Sequence, residues 1–267
     1  MLIISIAIQK GGSGKTTTAL NLAAALQRMG KDVLLIDLDP QANLTQSMGI
    51  ADDTDLSIYE LLKQAATGEP ADTQQAIVHT GVLPLIPANL ELASAELELV
   101  SIYGREQLLN QVLGQLDSTY DIVIIDCPPA VGMLTVNALT ASDYVLMPLQ
   151  AEFLPFKGVQ RFMKNVQVIK KQLNKKLEIL GLVLTKFDEH KSMHKQIRTQ
   201  LQEMYPDKVL ASGIRSNISL ARAQEQAKDI FSFDNTANGA KDYHALATEI
   251  AERLNGGGTV APLHLNR

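Results

Sequence analysis

A glycine-rich segment near the start of the chain carries the residue types needed to hold a polyphosphate. Glycine lets consecutive backbone N–H groups point at phosphate oxygens, and a helix that begins directly after the loop adds its dipole. In such a loop Lys15 would neutralise the β and γ phosphates, and the Thr16 hydroxyl would ligate Mg²⁺. We therefore predict a nucleotide site formed by Gly11, Gly12, Ser13, Gly14, Lys15, Thr16 and Thr17.

The residues on either side of this loop have the patterns that such a site requires. Residues 2–8 are apolar and rich in β-branched side chains, which is typical of a buried strand. Residues 16–29 repeat apolar side chains at helical spacing, and Gly30 follows as a helix-ending residue. The loop is therefore expected between a strand and the N-terminus of a helix.

Three aspartates stand at or just beyond the ends of two other predicted strands. Asp37 and Asp39 end the apolar run 33–38, and Asp126 follows the apolar run 122–125. Ligands of open α/β sheets bind at the carboxyl ends of the strands, so these side chains are expected beside the phosphates. We assign metal support to Asp126, with Asp37 nearby, and orientation of the attacking water to Asp39. The alternative is that these carboxylates only cap loops.

The alternation of strands and helices continues along the chain and indicates the fold class. Strands are predicted at 82–86, 144–149 and 177–184, and helices at 58–66, 88–100, 105–116, 134–139, 159–173, 193–204 and 240–254. Helices of this length between strands imply crossover connections. We predict an α/β fold with a doubly wound, mostly parallel sheet flanked by helices, as in P-loop nucleoside triphosphatases. We expect one domain over 1–254 and a flexible tail over 255–267.

Composition excludes several classes of protein. Hydrophobic residues make up 46% of the 267 residues and charged residues 20%, which excludes a disordered or collagen-like chain. No apolar run reaches the ~18 residues of a membrane-spanning helix, and no export signal is evident. The single cysteine, Cys127, cannot form an intrachain disulfide. These features predict a cytoplasmic protein.

An additional lysine distinguishes this loop from the general phosphate-binding pattern. Gln9 stands where that pattern has glycine, and Lys10 follows it. This arrangement resembles the deviant Walker A motif of the ParA/MinD superfamily of ATPases, and most closely the small, Soj-like ParA partition ATPases. The resemblance implies ATP and Mg²⁺ as ligands and an ATP-dependent homodimer in which Lys10 reaches the partner subunit's nucleotide. It assigns catalysis to Lys10, Lys15 and Asp39.

The resemblance extends to about residue 254. Residues 84–98 and 148–153 are similar to family segments at later strand ends. The chain begins directly at the first strand, so we expect no N-terminal helix-turn-helix domain and no repression of an operator. Residues 184–188 resemble the guanine-reading motif of GTPases, but Thr185 replaces its asparagine. The family implies adenine instead, bound by this strand end and by residues 214–217.

Charge is distributed unevenly along the chain. The net charge is −5, yet residues 151–228 contain 15 Lys or Arg and 7 Asp or Glu. ParA-like ATPases bind DNA without sequence preference through basic residues of the C-terminal half. The resemblance therefore implies DNA contacts at Lys191, Lys195, Arg198, Arg215 and Arg222. The chain departs from chromosomal relatives at residues 219–221, where Ser-Leu-Ala replaces Arg-Leu-Ser. A solvated helix end is the alternative for the lysines at 170–176.

Two other branches of the superfamily are disfavoured by the residues. MinD-like proteins end in a basic amphipathic helix, whereas residues 255–267 are glycine-rich and contain one arginine and no lysine. The nitrogenase iron-protein branch needs two cysteines from each subunit, and this chain has one. We therefore expect no membrane partner and no iron–sulfur cluster.

The leading hypothesis is a ParA-type ATPase that is cytoplasmic and nucleoid-associated. It would drive plasmid or chromosome partition together with a ParB-like partner that stimulates hydrolysis. One alternative is a ParA-like ATPase that positions a protein cargo, such as a chemoreceptor cluster or a microcompartment. Another is a metabolic P-loop enzyme, such as an amidoligase or kinase, with no role on DNA.

Overall fold

The computed structural model describes residues 1–51, 54, 56–116, 119–151 and 156–256. Its centre is a sheet of eight strands: β1 (Leu2–Ile6), β2 (Val33–Asp37), β3 (Val78–His79), β4 (Pro84–Ile86), β5 (Ile122–Asp126), β6 (Tyr144–Gln150), β7 (Glu178–Thr185) and β8 (Val209–Ile214). The order across the sheet is β3-β4-β2-β5-β1-β6-β7-β8. All neighbouring strands are parallel except β3, which pairs antiparallel with β4.

The strand order places a crevice at the end of β1. The chain passes from β1 to β2 on one side of β1, then returns through β5 and crosses to β6 on the other side. Such a change of direction opens a crevice at the carboxyl ends of the strands, where open α/β sheets bind ligands. The glycine-rich loop leaves β1 at this position.

Helices cover both faces of the sheet. In chain order they are α1 (Lys15–Arg28), α2 (Asn43–Ser47), α3 (Ile58–Thr67), α4 (Leu92–Glu98), α5 (Leu108–Leu113), α6 (Met133–Ala141), α7 (Phe156–Gln172), α8 (Ser192–Met204), α9 (Ile218–Glu225), α10 (Ile230–Asp234) and α11 (Asn238–Leu254). Short 3₁₀ turns follow α4 and precede α5. Within the described residues, no helix is long and apolar enough to cross a membrane.

Each central strand is buried on both faces. Ile3 packs into the core on one side of the sheet, with α3 to α8, whereas Ile4 packs into the core on the other side, with α1 and α9 to α11. This double burial explains why the strands appear in the sequence as apolar runs without alternation. It also holds the strand ends rigidly, which is what a site at those ends requires.

The predicted fold class is confirmed, and most predicted elements are present with boundaries shifted by a few residues. Strands β3 and β8 were not predicted. β3 has only two residues, and β8 contains Ala211, Ser212 and Gly213, which have weak strand preference. The helix predicted over 88–100 is shorter, since α4 begins at Leu92 and gives way to a 3₁₀ turn after Glu98. Much of the predicted tail, residues 257–267, lies outside the described residues, as do Glu152 and Phe153 of the segment 148–153.

Candidate nucleotide site

The loop between β1 and α1 has the backbone shape of an anion-binding loop. Gly12 and Gly14 have φ values of 70° and 88°, a left-handed conformation that glycine adopts without strain. Gly14 is the N-cap of α1 and provides no side chain, so the N–H groups of the first turn keep their capacity to bind a ligand. The positive end of the helix dipole lies at the same point.

Lys15 is held inside this loop rather than extended into solvent. Its side chain is only 7% exposed, and its Nζ donates to the Lys10 carbonyl oxygen at 3.3 Å. The Ser13 hydroxyl donates to the same carbonyl at 3.3 Å. The loop therefore curls around the Lys15 ammonium and presents it to the cleft above.

This cleft has a volume of about 770 Å³ and contains the predicted phosphate-binding residues. Its walls also include Asp39, Lys186, Gln224 and residues of α2. A cleft of this size can hold a nucleoside triphosphate. Its lining includes Gly11, Gly12, Ser13, Gly14, Lys15, Thr16 and Thr17.

Two buried carboxylates face each other below the cleft. Asp37 and Asp126 are direct partners in the β2–β5 register, and both are 0% exposed. The Thr16 hydroxyl donates to Asp126 Oδ2 at 2.6 Å. Among the residues that the structure describes, Asp126 Oδ1 has no hydrogen-bond partner. A buried carboxylate oxygen left in this state fits a position that a cation or its bound water completes.

Burial raises the pKa of both carboxyls. The pKa of Asp126 is well above its usual range because of burial, followed by repulsion from Asp37. The pKa of Asp37 is raised to about 6, mainly by burial, although hydrogen bonds from Thr45 and Asp39 oppose the shift. The pair therefore carries unfavourable negative charge at neutral pH, and a bound cation would relieve it.

Asp37 also organises the chain that follows β2. Its Oδ2 accepts from the Thr45 amide and hydroxyl, both at 2.8 Å, and its Oδ1 accepts from the Asp39 amide at 3.1 Å. These bonds fix the segment that carries Asp39. The predicted metal role of Asp37 is thus accompanied by an observed positioning role, which the sequence did not indicate.

Asp39 lies at the edge of the cleft. It is 6% exposed, and its Oδ1 accepts from the Gln41 amide at 3.1 Å. The chain then turns through Ala42, whose φ is 51°, into α2. The carboxylate is therefore fixed by its own turn and still borders the space above the phosphate loop.

The protein alone does not supply a full set of metal ligands. Within the described ranges, no group of three or more His, Cys, Asp or Glu side chains is arranged to hold a metal. The hydroxyl of Thr16 and the carboxylate of Asp126 are adjacent, however, and hard oxygen donors of this kind suit Mg²⁺. A magnesium ion here would need ligand phosphates to complete its coordination.

Lys10 faces a different space. It borders a small cavity with Gln150 and Gly158, on the β6–α7 side of the loop, and it is not part of the lining found for the 770 Å³ cleft. Burial lowers the pKa of Lys10, and the positive charge of Lys186 lowers it further. Lys10 therefore borders a cavity that Lys15 does not, although the charge of Lys186, which lines the large cleft, still acts on Lys10.

A second, smaller pocket continues from the cleft beyond β7. It has a volume of about 190 Å³ and is lined by Thr185, Ile214, Asn217, Leu220 and Tyr243, among others. It includes the two segments assigned to adenine from the sequence, the end of β7 and residues 214–217. Its wall also contains Gln224, whose Oε1 accepts from the Thr17 hydroxyl at 3.0 Å and whose Nε2 donates to the Ser47 hydroxyl at 3.1 Å.

Thr185 stabilises the phosphate loop through a hydrogen bond. Its hydroxyl donates to the Ser13 carbonyl oxygen at 2.8 Å, across 172 positions of sequence. The sequence identified Thr185 only as a departure from a guanine-reading motif. The structure gives that position a role in loop geometry.

Known proteins are similar to most of this chain. A family model described as an AAA domain matches residues 1–179. The sporulation initiation inhibitor protein Soj of Bacillus subtilis is 41% identical over 252 residues, covering 93% of this chain and 98% of that protein. The chromosome-partitioning ATPase Soj of Treponema pallidum is 37% identical, covering 92% of this chain and 95% of that protein. This chain belongs to the ParA/MinD superfamily of P-loop ATPases.

A solved structure that holds a nucleotide agrees with this membership. Cobyrinic acid a,c-diamide synthase from Mycobacterium smegmatis, crystallised with bound ADP and magnesium, is 34% identical to this ATPase. The TM-score is 0.84, and the match covers 98% of this chain and 100% of that chain. The predicted superfamily and the predicted ATPase activity are therefore both confirmed.

The predicted DNA-binding residues of this ATPase fall into two groups. Lys191, Lys195 and Arg222 are exposed on or beside α8 and α9. Arg215 instead forms a bidentate ion pair with Asp242, its closest N–O distance being 2.6 Å. Arg198 lies over the Phe187 ring at 4.0 Å and donates to the Ala211 carbonyl oxygen at 3.3 Å.

The surface between these groups is not uniformly basic. A cavity of about 440 Å³ near Arg215 is lined by Asp188, Glu189 and Asp242 as well as by polar groups. The carboxylates there would repel a phosphate backbone. The structure therefore does not join the five basic residues into a single positive patch.

Proposed function

We propose that this ATPase is a ParA-type switch, in which ATP converts a monomer into a homodimer that binds DNA without sequence preference. The observation that carries the proposal is the arrangement of two lysines around one phosphate loop. Lys15 faces the loop's own cleft, and Lys10 borders a cavity on the other side. In the role that the family resemblance implies, Lys10 would reach the other subunit's nucleotide, where a cation would stabilise charge in phosphoryl transfer.

ATP and Mg²⁺ are the ligands that the cleft fits. The loop N–H groups and Lys15 would bind the β and γ phosphates, while Thr16 and Asp126 would hold the metal. When bound, Mg²⁺ neutralises charge on the phosphates. The unpaired Asp126 oxygen and the raised pKa of Asp37 and Asp126 both support a cation at this position.

Hydrolysis would depend on Asp39. The turn after β2 fixes its carboxylate beside the cleft, where it can accept a hydrogen bond from a water molecule near the terminal phosphate. Because hydrogen bonds to Asp37 hold the same segment, the position of Asp39 depends on the strand-end carboxylates. Loss of the terminal phosphate would then release the contacts that favour the dimer.

The biological role we infer is partition of a plasmid or chromosome on the nucleoid, in the cytoplasm. The chromosome-partitioning ATPase named among the relatives supports this role. A ParB-like partner would bind the ATP-loaded dimer and stimulate hydrolysis. The DNA contacts best supported by the surface are Lys191, Lys195 and Arg222, which are exposed. Arg198 and Arg215 would contact DNA only where their contacts with Phe187 and Asp242 allow it.

The test is retention of arbitrary duplex DNA by the protein with ATP, with ADP and without nucleotide, over a series of salt concentrations. We expect binding with ATP alone and a linear fall of log affinity with log salt, with a slope of about −0.9 for each phosphate contacted. Light scattering on the same samples should give a dimer with ATP and a monomer with ADP. DNA retention that is the same with ATP, with ADP and without nucleotide would contradict the proposal, as would a monomer in the presence of ATP.

A metabolic role is the second candidate, because a diamide synthase is among the structures with a TM-score above 0.8. An enzyme of that class would hydrolyse ATP in proportion to a small-molecule carboxylic acid acceptor and would ignore DNA. Cobyrinic acid with glutamine or ammonia is the probe. Acceptor-dependent ATP consumption together with no response to DNA would favour this candidate over partition.

A further inference from the structure

Lys186, directly after β7, has a backbone conformation that is costly for its residue type. Its φ is 50°, in the left-handed region that glycine and asparagine adopt with less strain. Residues held in such conformations concentrate at sites where the surrounding structure and the function require them. A lysine in this conformation therefore indicates a function for its ammonium.

The neighbours of Lys186 fix its position. The Thr185 hydroxyl donates to the Ser13 carbonyl oxygen at 2.8 Å, and the Phe187 amide donates to the Ile214 carbonyl oxygen at 2.9 Å. One neighbour is thus tied to the phosphate loop and the other to the end of β8. These two bonds restrain the chain on either side of Lys186.

Lys186 lies where the two parts of the candidate site meet. It borders both the 770 Å³ cleft above the phosphate loop and the 190 Å³ pocket assigned to the base. Both spaces also share Gly12, Gly14 and Thr17. The residue is exposed, and among the described residues none forms a hydrogen bond or an ion pair with its ammonium.

Among the described residues, no carboxylate forms an ion pair with this ammonium. Asp39 and Glu225 border the same cleft, and the charge of Lys186 is close enough to Lys10 to lower the pKa of that lysine, after the larger effect of burial. Two positive side chains therefore stand near each other at the loop. Such a pair attracts a polyanion.

We infer that Lys186 binds, within its own subunit, the oxygens of the α and β phosphates, the two phosphates that ADP and ATP share. Lys15 acts from the floor of the loop, and the base pocket begins at Thr185, so Lys186 covers the stretch of nucleotide between them. This inference rests on the proposed ATP site. It adds a residue outside the phosphate-loop motif that discriminates phosphorylated nucleotides from nucleosides.

The experiment compares the affinities for ADP and for a non-hydrolysable ATP analogue, by calorimetry, in the wild type and in Lys186 variants. We expect Lys186→Met to weaken both ligands by about tenfold and by equal factors, because a charge-assisted hydrogen bond to a shared phosphate is lost. Lys186→Arg should remain within about threefold of the wild type, since it keeps the charge. Higher salt should reduce the difference between wild type and Lys186→Met.

Two further variants separate binding from folding. Lys186→Asn accepts the left-handed backbone and lacks the ammonium, so it should melt at or above the wild-type temperature and still bind about tenfold more weakly. Lys31→Met makes the same charge change on an exposed lysine just before β2, away from both spaces, and should bind as the wild type does.

The outcomes distinguish this inference from the proposed function. If the wild type binds neither nucleotide, the proposed ATP site is wrong and the inference fails with it. If the wild type binds both and Lys186→Met is unchanged, only the inference is overturned. A loss confined to the ATP analogue, or an equal loss in Lys186→Arg and Lys186→Met, also overturns it, because neither result is compatible with a charge contact to the shared phosphates.

Discussion

The phosphate site and the basic surface are both built from charged side chains, but the protein holds them differently. At the phosphate site, Lys15, Asp37 and Asp126 are nearly or fully buried, and each makes hydrogen bonds to loops or neighbouring strands. On the basic surface, Lys195 and Arg222 are exposed. Buried charges must be paired or await a ligand, whereas exposed charges are stable alone.

This difference determines how much a charged residue type says about its role. A buried lysine or aspartate is stable only beside an opposite charge or hydrogen-bonding groups. Its burial within a motif therefore limits the ligands that it can bind. A surface arginine can equally serve the protein itself, as Arg215 does with Asp242 and Arg198 does with Phe187. Counting basic residues therefore locates a charged region without identifying its contacts.

The largest effect expected at the phosphate site is from Lys15→Ala. Removal of the ammonium leaves the phosphates without their main cation, so kcat for ATP hydrolysis should fall by at least about 100-fold. The measurement is steady-state phosphate release with saturating Mg²⁺ and ATP. Lys31→Ala, which removes an exposed lysine far from the cleft, is the matched control and should retain full activity. Near wild-type turnover in Lys15→Ala would remove the basis for treating this region as the catalytic one.

Asp39→Ala should separate binding from hydrolysis within the same site. We expect ATP affinity within about threefold of the wild type and a hydrolysis rate lower by about 100-fold, since only the group that orients water is lost. The variant should then accumulate as a dimer on DNA in the presence of ATP. Calorimetry, single-turnover hydrolysis and light scattering test these points. A variant that stays monomeric with ATP would show that Asp39 does not act after dimer formation.

The buried carboxylate pair predicts an unusual pH dependence of stability. Because the folded state raises the pKa of Asp37 to about 6 and raises that of Asp126, it binds protons more tightly than the unfolded state does. The contribution of the pair to the free energy of unfolding should therefore be most favourable below about pH 4, where the carboxyls are protonated in both states. It should be lost as the pH rises through about 6.

Asp126→Asn isolates this contribution. At pH 7.5, without nucleotide or Mg²⁺, we expect it to raise the free energy of unfolding by about 1–2 kcal/mol, because one of two repelling buried charges is removed. Its stability should also change less than that of the wild type between pH 4 and pH 7. Urea unfolding in EDTA provides the measurement, and Mg²⁺-dependent ATPase activity should be lost. Destabilisation at pH 7.5 with an unchanged pH profile would be inconsistent with charge repulsion between the two aspartates.

The smallest effects are expected on the basic surface, where they should differ by residue. Lys195→Ala and Arg222→Ala should each weaken DNA binding a few-fold and reduce the salt slope by about 0.9, with no change in melting temperature. Arg215→Ala should instead lower the melting temperature by a few degrees through loss of the partly exposed pair with Asp242. Equal effects of all three substitutions on the salt slope would mean that the internal ion pair does not restrain Arg215.

The sequence predicts the phosphate site better than it predicts contacts between distant parts of the chain, and the reasons are physical. Residues 10–17 lie together in the chain, so their local spacing already determines a loop geometry. The pairing of Asp37 with Asp126 was predictable because parallel strands end at one edge of the sheet. The bond from Thr185 to Ser13 and the bridge of Gln224 between Thr17 and Ser47 join residues more than 170 positions apart. No local pattern predicts such contacts.

The sequence by itself determined the parallel α/β fold, the phosphate loop and the carboxylates at the strand ends, because hydrophobic periodicity and backbone requirements act over short stretches of chain. Only the tertiary structure decided which charges remain free to meet a ligand. It buried Lys15 beside the cleft, placed Lys10 at a separate small cavity, and paired Arg215 with Asp242. Whether a charged side chain is available depends on its partners in space, and strands and helices distant in the chain supply those partners.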